Sequence, residues 1–277
     1  MPGVLELVAN QLRVAKRLAP RRGASLRERF GPLDERLVFV VGSPRSGTTF
    51  LAGAIGSVPG FVDLGEVAAV KASVPELAAL QPDEAARRLR RILGLARRVG
   101  LVGSVRAVEQ TPELAHVVHA IPLAFPYATV VHVVRDGRDV VCSLLEQGWL
   151  GTDRAGHDDA GIAYGAYPRF WVEPERREEF ARVSDARRAA WAWHRYVSAA
   201  RSGDVVEVRY ERLAEDPDAV AHELAARLDA PAPPLRAALG RVHRESVGRF
   251  RRDLSGEQLD DVLAEAGDLL RELGYVT

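Results

Sequence analysis

Two short runs constrain this chain more than anything else in it. Residues 37–41 read LVFVV and residues 129–134 read TVVHVV, almost unbroken stretches of apolar, mostly β-branched side chains. A strand with one wet face alternates apolar and polar residues, whereas a strand covered on both faces has no need to. Each run stops at a small loop and passes into a helical pattern. That is the strand–loop–helix unit of a parallel sheet, whose ligands bind at the carboxyl ends of the strands. Weaker strand signals lie at 61–63, 105–108 and 205–210. Helical patterns are expected over 48–56, across 67–99, after Thr111-Pro112, from about Asp136, over 184–202, and as two or three helices from there to the end. The expected class is α/β with a mainly parallel central sheet.

Composition narrows the function. The chain has 277 residues, 47% hydrophobic and 27% charged, with a formal net charge of zero. Such a balance argues against wholesale binding to nucleic acid. One cysteine, Cys142, makes an internal disulfide impossible and leaves a structural zinc without thiolate ligands. A reducing, cytoplasmic setting is the expectation. There is no stretch long and apolar enough to span a bilayer, and the first residues lack the pattern of a secretory signal. Residues 1–30 read as a basic helix and linker, in which Arg13, Lys16, Arg17, Arg21, Arg22, Arg27 and Arg29 outnumber Glu6 and Glu28. This face is either packed on the body of the protein or laid on an anionic membrane surface. Residues 31–277 are expected to form one domain, with an acceptor-side insert around 149–180. Oligomeric state is left open.

The first loop is Gly42-Ser43-Pro44-Arg45-Ser46-Gly47-Thr48-Thr49, with the spacing G-x-x-x-x-G-x-T. Glycines let successive N–H groups turn toward an anion, and the following helix adds the positive end of its dipole. A Walker A loop places lysine after its second glycine, to reach the outer phosphates of a nucleoside triphosphate. Thr48 stands there instead, and the cation is Arg45, inside the loop. Such a cradle suits one terminal phosphate better than a triphosphate with its Mg²⁺. The plain alternative is a glycine-rich turn without a ligand.

FVVGSPRSGTTFL resembles the 5'-phosphosulfate-binding loop of sulfotransferases that use 3'-phosphoadenosine-5'-phosphosulfate (PAPS). It has the PRSGTT form of the bacterial, tyrosylprotein and carbohydrate enzymes. The resemblance implies a P-loop-like three-layer α/β/α fold with additional helices. It also implies that Arg45, Ser46, Gly47, Thr48 and Thr49 bind the donor's 5' side, with Arg45 stabilising charge on the departing phosphate oxygen. VVHVVRDGRDVVCSLL resembles the family's 3'-phosphate motif, in which an arginine and a serine eight residues apart hold that phosphate; Arg135 and Ser143 have this spacing. Within this segment Asp136 and Asp139 read as an N-cap and its reciprocal partner. Two phosphate sites at two strand ends call for a nucleotide phosphorylated at both ends, which PAPS is and ATP and NAD are not. VRYERLAEDP at 208–217 resembles a further family segment, whose tyrosine, here Tyr210, approaches the nucleotide. SVGRFRRDLSGEQ, from Ser246, resembles the closing segment, which implies that Ser246 and Arg249 belong to the loop over the 3'-phosphate.

Glu66, in FVDLGEVAA, lies 21 residues beyond Arg45. Tyrosylprotein-type relatives carry a catalytic glutamate at this distance, so the resemblance makes Glu66 the general base. The alternative is a helix-start glutamate favoured by the dipole. Cytosolic relatives use a histidine in a K-T-H segment, but Gln110-Thr111-Pro112 stands there. Bacterial relatives commonly have E-K-T-P, so Gln110 replaces a lysine, and an enzyme built this way must manage with a neutral donor or recruit another cation. His116 and His119, three apart, could share a helix face, but no third metal ligand is apparent. His132 reads as a satisfied core histidine. Trp149, His157, Tyr164, Tyr167, Phe170 and Trp171 could form an acceptor wall or lid, or simply pack as a surface loop.

The resemblance thus implies an O-sulfotransferase. It would move a sulfuryl group from PAPS to a hydroxyl of a small-molecule, glycan or lipid acceptor and release 3',5'-ADP, without a metal. Two alternatives stay beside it: a donor-binding scaffold with a degenerate site, motivated by Gln110, and a P-loop kinase, disfavoured by the missing lysine.

Overall fold

Every side chain of the LVFVV run is fully buried in the computed structural model, which describes residues 31–99, 105–150, 170, 172 and 174–277. Strand β1 (Val38–Val41) divides its side chains between two cores. Leu37, Phe39 and Val41 face one, and Val38 and Val40 the other. This coverage of both faces is why the run shows no alternation.

After β1 come α1 (Thr48–Gly56), β2 (Phe61–Gly65), α2 (Ala68–Lys71), α3 (Val74–Ala78), α4 (Pro82–Val99), β3 (Arg106–Glu109), a 3-10 turn at Pro112–Val117, and α5 (Ala120–Ala124). Then follow β4 (Thr129–Val134), α6 (Gly137–Leu145), α7 (Arg177–Arg182), α8 (Asp185–Arg201) and β5 (Val206–Arg209). The chain closes with α9 (Tyr210–Glu215), α10 (Pro217–Leu228), α11 (Ala232–Leu239), α12 (Phe250–Asp253) and α13 (Gly256–Glu272). The five strands lie in the order β2-β3-β1-β4-β5, and every pairing is parallel. One face is covered by α1 and α9–α11, through Leu51, Ile55, Leu213, Leu224 and Leu235. The other is covered mainly by α3, α4, α6, α8 and α13, through Leu77, Leu89, Val140, Trp193 and Leu270. The architecture is therefore three-layer α/β/α, as the resemblance implied, around the parallel sheet that the sequence pattern led us to expect.

The topology also fixes where a ligand can sit. Neighbouring strands β1 and β4 feed helices on opposite faces, α1 on one and α6 on the other. Connections that diverge in this way mark the switch point, at the carboxyl edge, where open α/β sheets bind ligands.

The helical region expected at 67–99 is present and is built of three helices, because Pro75 and Pro82 each sit in a first turn and restart the chain. Two expectations need correction. The segment after Thr111-Pro112 opens as a 3-10 turn rather than an α-helix. Beyond β5 there are five α-helices, not two or three. Asp216 ends α9 and caps α10 by accepting the N–H of Ala219 at 3.0 Å, so two helices abut where the apolar pattern reads as one. The basic N-terminal segment and most of the 149–180 insert lie outside the described residues. Among the described residues, no helix is long and apolar enough to cross a membrane.

The start of α6 is tightly packed. A Cβ added at Gly137 would lie 2.7 Å from Cδ2 of Trp193, a fully buried ring. Gly137→Ala should therefore destabilise the protein by about 1–3 kcal/mol, the usual range for an overpacked site. Urea denaturation reads this directly, and an unchanged midpoint would mean that Trp193 can give way.

Candidate active site

The carboxyl tips of all five strands carry residues of interest, in the order of the sheet. Glu66 follows β2, Gln110 follows β3, the Arg45 loop follows β1, Arg135 follows β4 and Tyr210 follows β5. Parallel strands put every such tip on one edge.

The first loop has the backbone of an anion cradle. Gly42, Arg45 and Gly47 all have positive φ, at 148°, 71° and 99°. Arg45 has no glycine's freedom, so this conformation costs about 1–3 kcal/mol. The N–H of Ser46 donates to the carbonyl of Ser43 at 3.1 Å and closes the turn. Gly47 is required by close approach as well as by φ, since a Cβ there would lie 2.7 Å from the Tyr210 ring. Helix α1 begins with no side-chain cap and no acidic residue in its first turn. Its leading N–H groups therefore have no side-chain acceptor of their own. The Ser46 hydroxyl is buried and makes no hydrogen bond among the described residues.

The second loop meets the first. Arg45 Nε donates to Ser143 Oγ at 2.9 Å. Arg135 Nη1 donates to the carbonyl of Arg45 at 3.3 Å, and Nη2 donates to the carbonyl of Ser246. The Arg135 guanidinium carbon lies 4.7 Å from the centre of the Tyr210 ring. Its Nε is buried and has no hydrogen-bond partner among the described residues. Arg45 also lies 5.8 Å from the ring centre of Trp149. Trp149 and Phe170 are the only members of the aromatic insert among the described residues.

Asp136 caps α6 as expected, accepting the N–H of Arg138 at 3.0 Å. The reciprocal half of the capping box is absent. Asp139 instead accepts the N–H of Gly248 at 2.7 Å and that of Phe250 at 3.0 Å. Its carboxylate clamps the C-terminal segment onto α6, and burial pushes its pKa up. The segment so held brings Ser246 to the Tyr210 hydroxyl at 3.3 Å. Arg249 is engaged by Glu146 and, at 2.7 Å, by Asp253, and the hydrogen bond to Glu146 holds its pKa above the ordinary value.

At the other end of the edge, Glu66 is part-exposed, and its Oε2 accepts from Lys71 Nζ at 2.6 Å. Glu109 is wholly buried, and its carboxylate accepts the N–H of Thr111 at 2.9 Å and that of Val67 at 3.4 Å. Burial pushes the Glu109 pKa up to about 7, and the Glu66 charge adds to the rise. Gln110 joins the two halves: its N–H donates to the Gly65 carbonyl at 3.4 Å, and its Oε1 accepts from Thr49 Oγ1 at 3.2 Å.

The other chemically suggestive residues are structural. His116 packs edge-on against Tyr196, and burial drives its pKa down to about 3. His119 instead meets Ser202 at 3.1 Å, so the two histidines do not act together. His132 is a core residue but not a hydrogen-bonded one, with Glu207 3.7 Å away. Cys142 is buried and its thiol is pushed up to about 12, which makes it a poor nucleophile.

A family model described as "Sulfotransferase family" matches residues 95–234, half of the chain. The chain belongs to the sulfotransferase family. That match begins beyond the first loop, so the PRSGTT resemblance rests on a separate stretch of the sequence. Two solved sulfotransferase domains are similar in fold. The domain from the Synechococcus PCC 7002 olefin synthase has a TM-score of 0.51 at 14% identity, covering 86% of this chain and 95% of that one. The domain from the curacin biosynthetic pathway has a TM-score of 0.54 at 12% identity, covering 84% and 97%. A protein of Aquifex aeolicus (strain VF5), described only as uncharacterized, is 29% identical over 211 residues. The match takes in 70% of this chain but only about a quarter of that relative's length.

Sequence reasoning gave no role at this edge to two residues, Lys71 and Trp193, and misread a third, Asp139. Lys71 could have been noticed, because only it and Lys16 are lysines among 38 basic side chains. Trp193, whose Nε1 donates to the Arg135 carbonyl at 3.0 Å, gave no signal, since its partner lies 58 positions away. The long-range role of Asp139 was hidden by a more local interpretation.

Glu109 gives a prediction with a definite sign. Its folded-state pKa of about 7 lies above the ordinary 4.5. Between these values the unfolded chain releases a proton that the folded protein keeps, so Glu109 makes stability fall as pH rises through the window and level off above it. The full effect is on the order of 3 kcal/mol. Glu109→Gln should flatten this part of the stability–pH curve; an unaltered slope in denaturation from pH 4 to 8 (roughly the window and its margins) would contradict the assignment.

Proposed function

We propose that this protein is a PAPS-dependent O-sulfotransferase acting on a hydroxyl of a small-molecule, glycan or lipid acceptor. The observation that carries the reading is the Arg45–Ser143 hydrogen bond, at 2.9 Å, which draws the two anion-binding loops into one cleft. Had Arg45 and Arg135 faced apart, no single nucleotide could bridge them. The buried Ser46 Oγ and Arg135 Nε, without a hydrogen-bond partner among the described residues, also fit an anionic ligand, since an unsatisfied buried polar atom costs about 1–3 kcal/mol.

In this reading Arg45, Ser46, Gly47, Thr48 and Thr49, with the uncapped start of α1, hold the donor's 5' side. Arg135, Ser143, Tyr210, Ser246 and Arg249 hold the 3'-phosphate side. PAPS supplies the sulfuryl group. The acceptor oxygen forms the new S–O bond as the bond to the phosphate breaks, and 3',5'-ADP leaves. Glu66 takes the hydroxyl proton, and the Arg45 guanidinium with the loop N–H groups stabilises the charge left on the phosphate.

A second reading, donor binding without turnover, is favoured by one observation: the side chain at position 110 is a neutral amide already bonded to Thr49. Two measurements separate them. 3',5'-ADP without Mg²⁺ should raise the melting temperature, by an amount corresponding to about 2.7 kcal/mol at a hundredfold excess over Kd, and Arg45→Ala should abolish the rise. Protection by ATP–Mg²⁺ in place of 3',5'-ADP would overturn the assignment. In a labelled-donor screen over hydroxylated metabolites, Glu66→Gln should lose roughly 10²–10⁴-fold in turnover while keeping 3',5'-ADP binding. A wild-type chain that binds 3',5'-ADP but labels no acceptor would favour the scaffold.

A further inference from the structure

Lys71 is 5% exposed in a chain that otherwise uses arginine almost throughout. It closes the four-residue helix α2, and its ammonium lies 2.6 Å from Glu66 Oε2 and 3.7 Å from Glu113 Oε1. Glu113, on the 3-10 turn, is nearly as buried as Glu109 at the end of β3. Glu109 is tied to the same place through the N–H of Val67, the residue after Glu66. Two carboxylates thus meet one ammonium, and a third is anchored to the turn that carries Glu66. Burying that ammonium costs several kcal/mol unless close partners compensate it. A lysine suits the task, because a compact charge on a single stem can face two carboxylates at once, where a planar guanidinium favours one in a bidentate pair.

We propose that Lys71 is a positioning residue for the catalytic base: its ammonium keeps the Glu66 carboxylate ionised and fixed in orientation against the crowding of Glu109 and Glu113. The inference rests on Glu66 being the base. Glu66 faces Lys71 from α2, Glu109 from β3 and Glu113 from the 3-10 turn. Like charges at this spacing push one another toward protonation, and an adjacent cation opposes the push. Burial is the main cause of the raised Glu109 pKa, and the Glu66 charge adds to it in the expected direction. Without Lys71, Glu66 would take up a proton nearer neutrality and lose the hydrogen bond that holds one of its oxygens.

The test is a carboxyl ¹³C NMR titration of the full chain labelled at glutamate Cδ, with the Glu66 signal assigned by its loss in Glu66→Gln. In Lys71→Met the Glu66 midpoint should rise by about one pH unit or more, with the acid limb of turnover moving alongside it. In Lys71→Arg, which keeps the charge, it should stay near the wild-type value. Retained stabilisation by 3',5'-ADP shows that each variant is folded. Should Lys71→Met not fold, the double variant Lys71→Met/Glu113→Gln, which removes one buried charge of each sign, carries the same titration. An unmoved midpoint with Glu66→Gln inactive overturns the Lys71 assignment and leaves the base reading standing. Full turnover in Glu66→Gln overturns both.

Discussion

The buried guanidinium of Arg135 is the interaction on which the rest of this edge depends. It reaches the carbonyls of Arg45 and Ser246, lies 3.9 Å from Asp139, and covers the Tyr210 ring. These four partners come from the β1 loop, the C-terminal segment, helix α6 and the start of α9. Its own carbonyl is held by Trp193 of α8. A buried charge with few partners would be a liability, and here the polar neighbours and the aromatic face offset the desolvation. The same set of contacts holds the loops after β1 and β4 together. The loop after β1 cannot open away from the loop after β4 without breaking them.

Around that hub the edge has two halves. Arg45 and Arg135 stand at the tips of β1 and β4, whereas Glu66 and Glu109 stand at the tips of β2 and β3, with Lys71 and Glu113 beside Glu66. A chain of zero net charge hides this arrangement completely. Chemically the two halves suit different tasks. The half at β1 and β4, with its N–H groups turned inward, can take a dianionic group. The half at β2 and β3 offers a carboxylate that can accept a proton. Between them Gln110 bonds to Thr49 on one side and to the Gly65 carbonyl on the other, so the halves are mechanically coupled.

What the sequence made legible was whatever depends on neighbours along the chain. β1 and β4 announce themselves because coverage on both faces removes the alternation, and the Arg45 loop because glycines and a helix start must follow one another in order. The match of 48–56 to α1 follows from the same local logic. The short helices after β5 were less legible. Their boundaries are set by single residues such as Asp216, which ends one helix and caps the next. Asp139 is the clearest failure. Its spacing from Asp136 fits a capping box, but two N–H groups more than 100 positions away compete for the same carboxylate and win.

The Glu66–Lys71 pair shows why the remainder of the site could not be read in advance. The two are five positions apart, a spacing that puts no pair on one face of a continuous helix. They meet because the chain leaves β2 at Gly65, which has a positive φ of 69°, and turns into a helix only four residues long. The turn is closed by Glu109, from a strand more than 40 residues further on, which accepts the N–H of Val67. The carboxylate that fixes the turn also adds to the charge that Lys71 must balance. Structure and electrostatics at this end of the edge are therefore one problem. Replacing Lys71 by arginine in a chain so rich in that residue would preserve the charge and sacrifice the reach to two acids, which is a physical reason for a lysine to stand at this position.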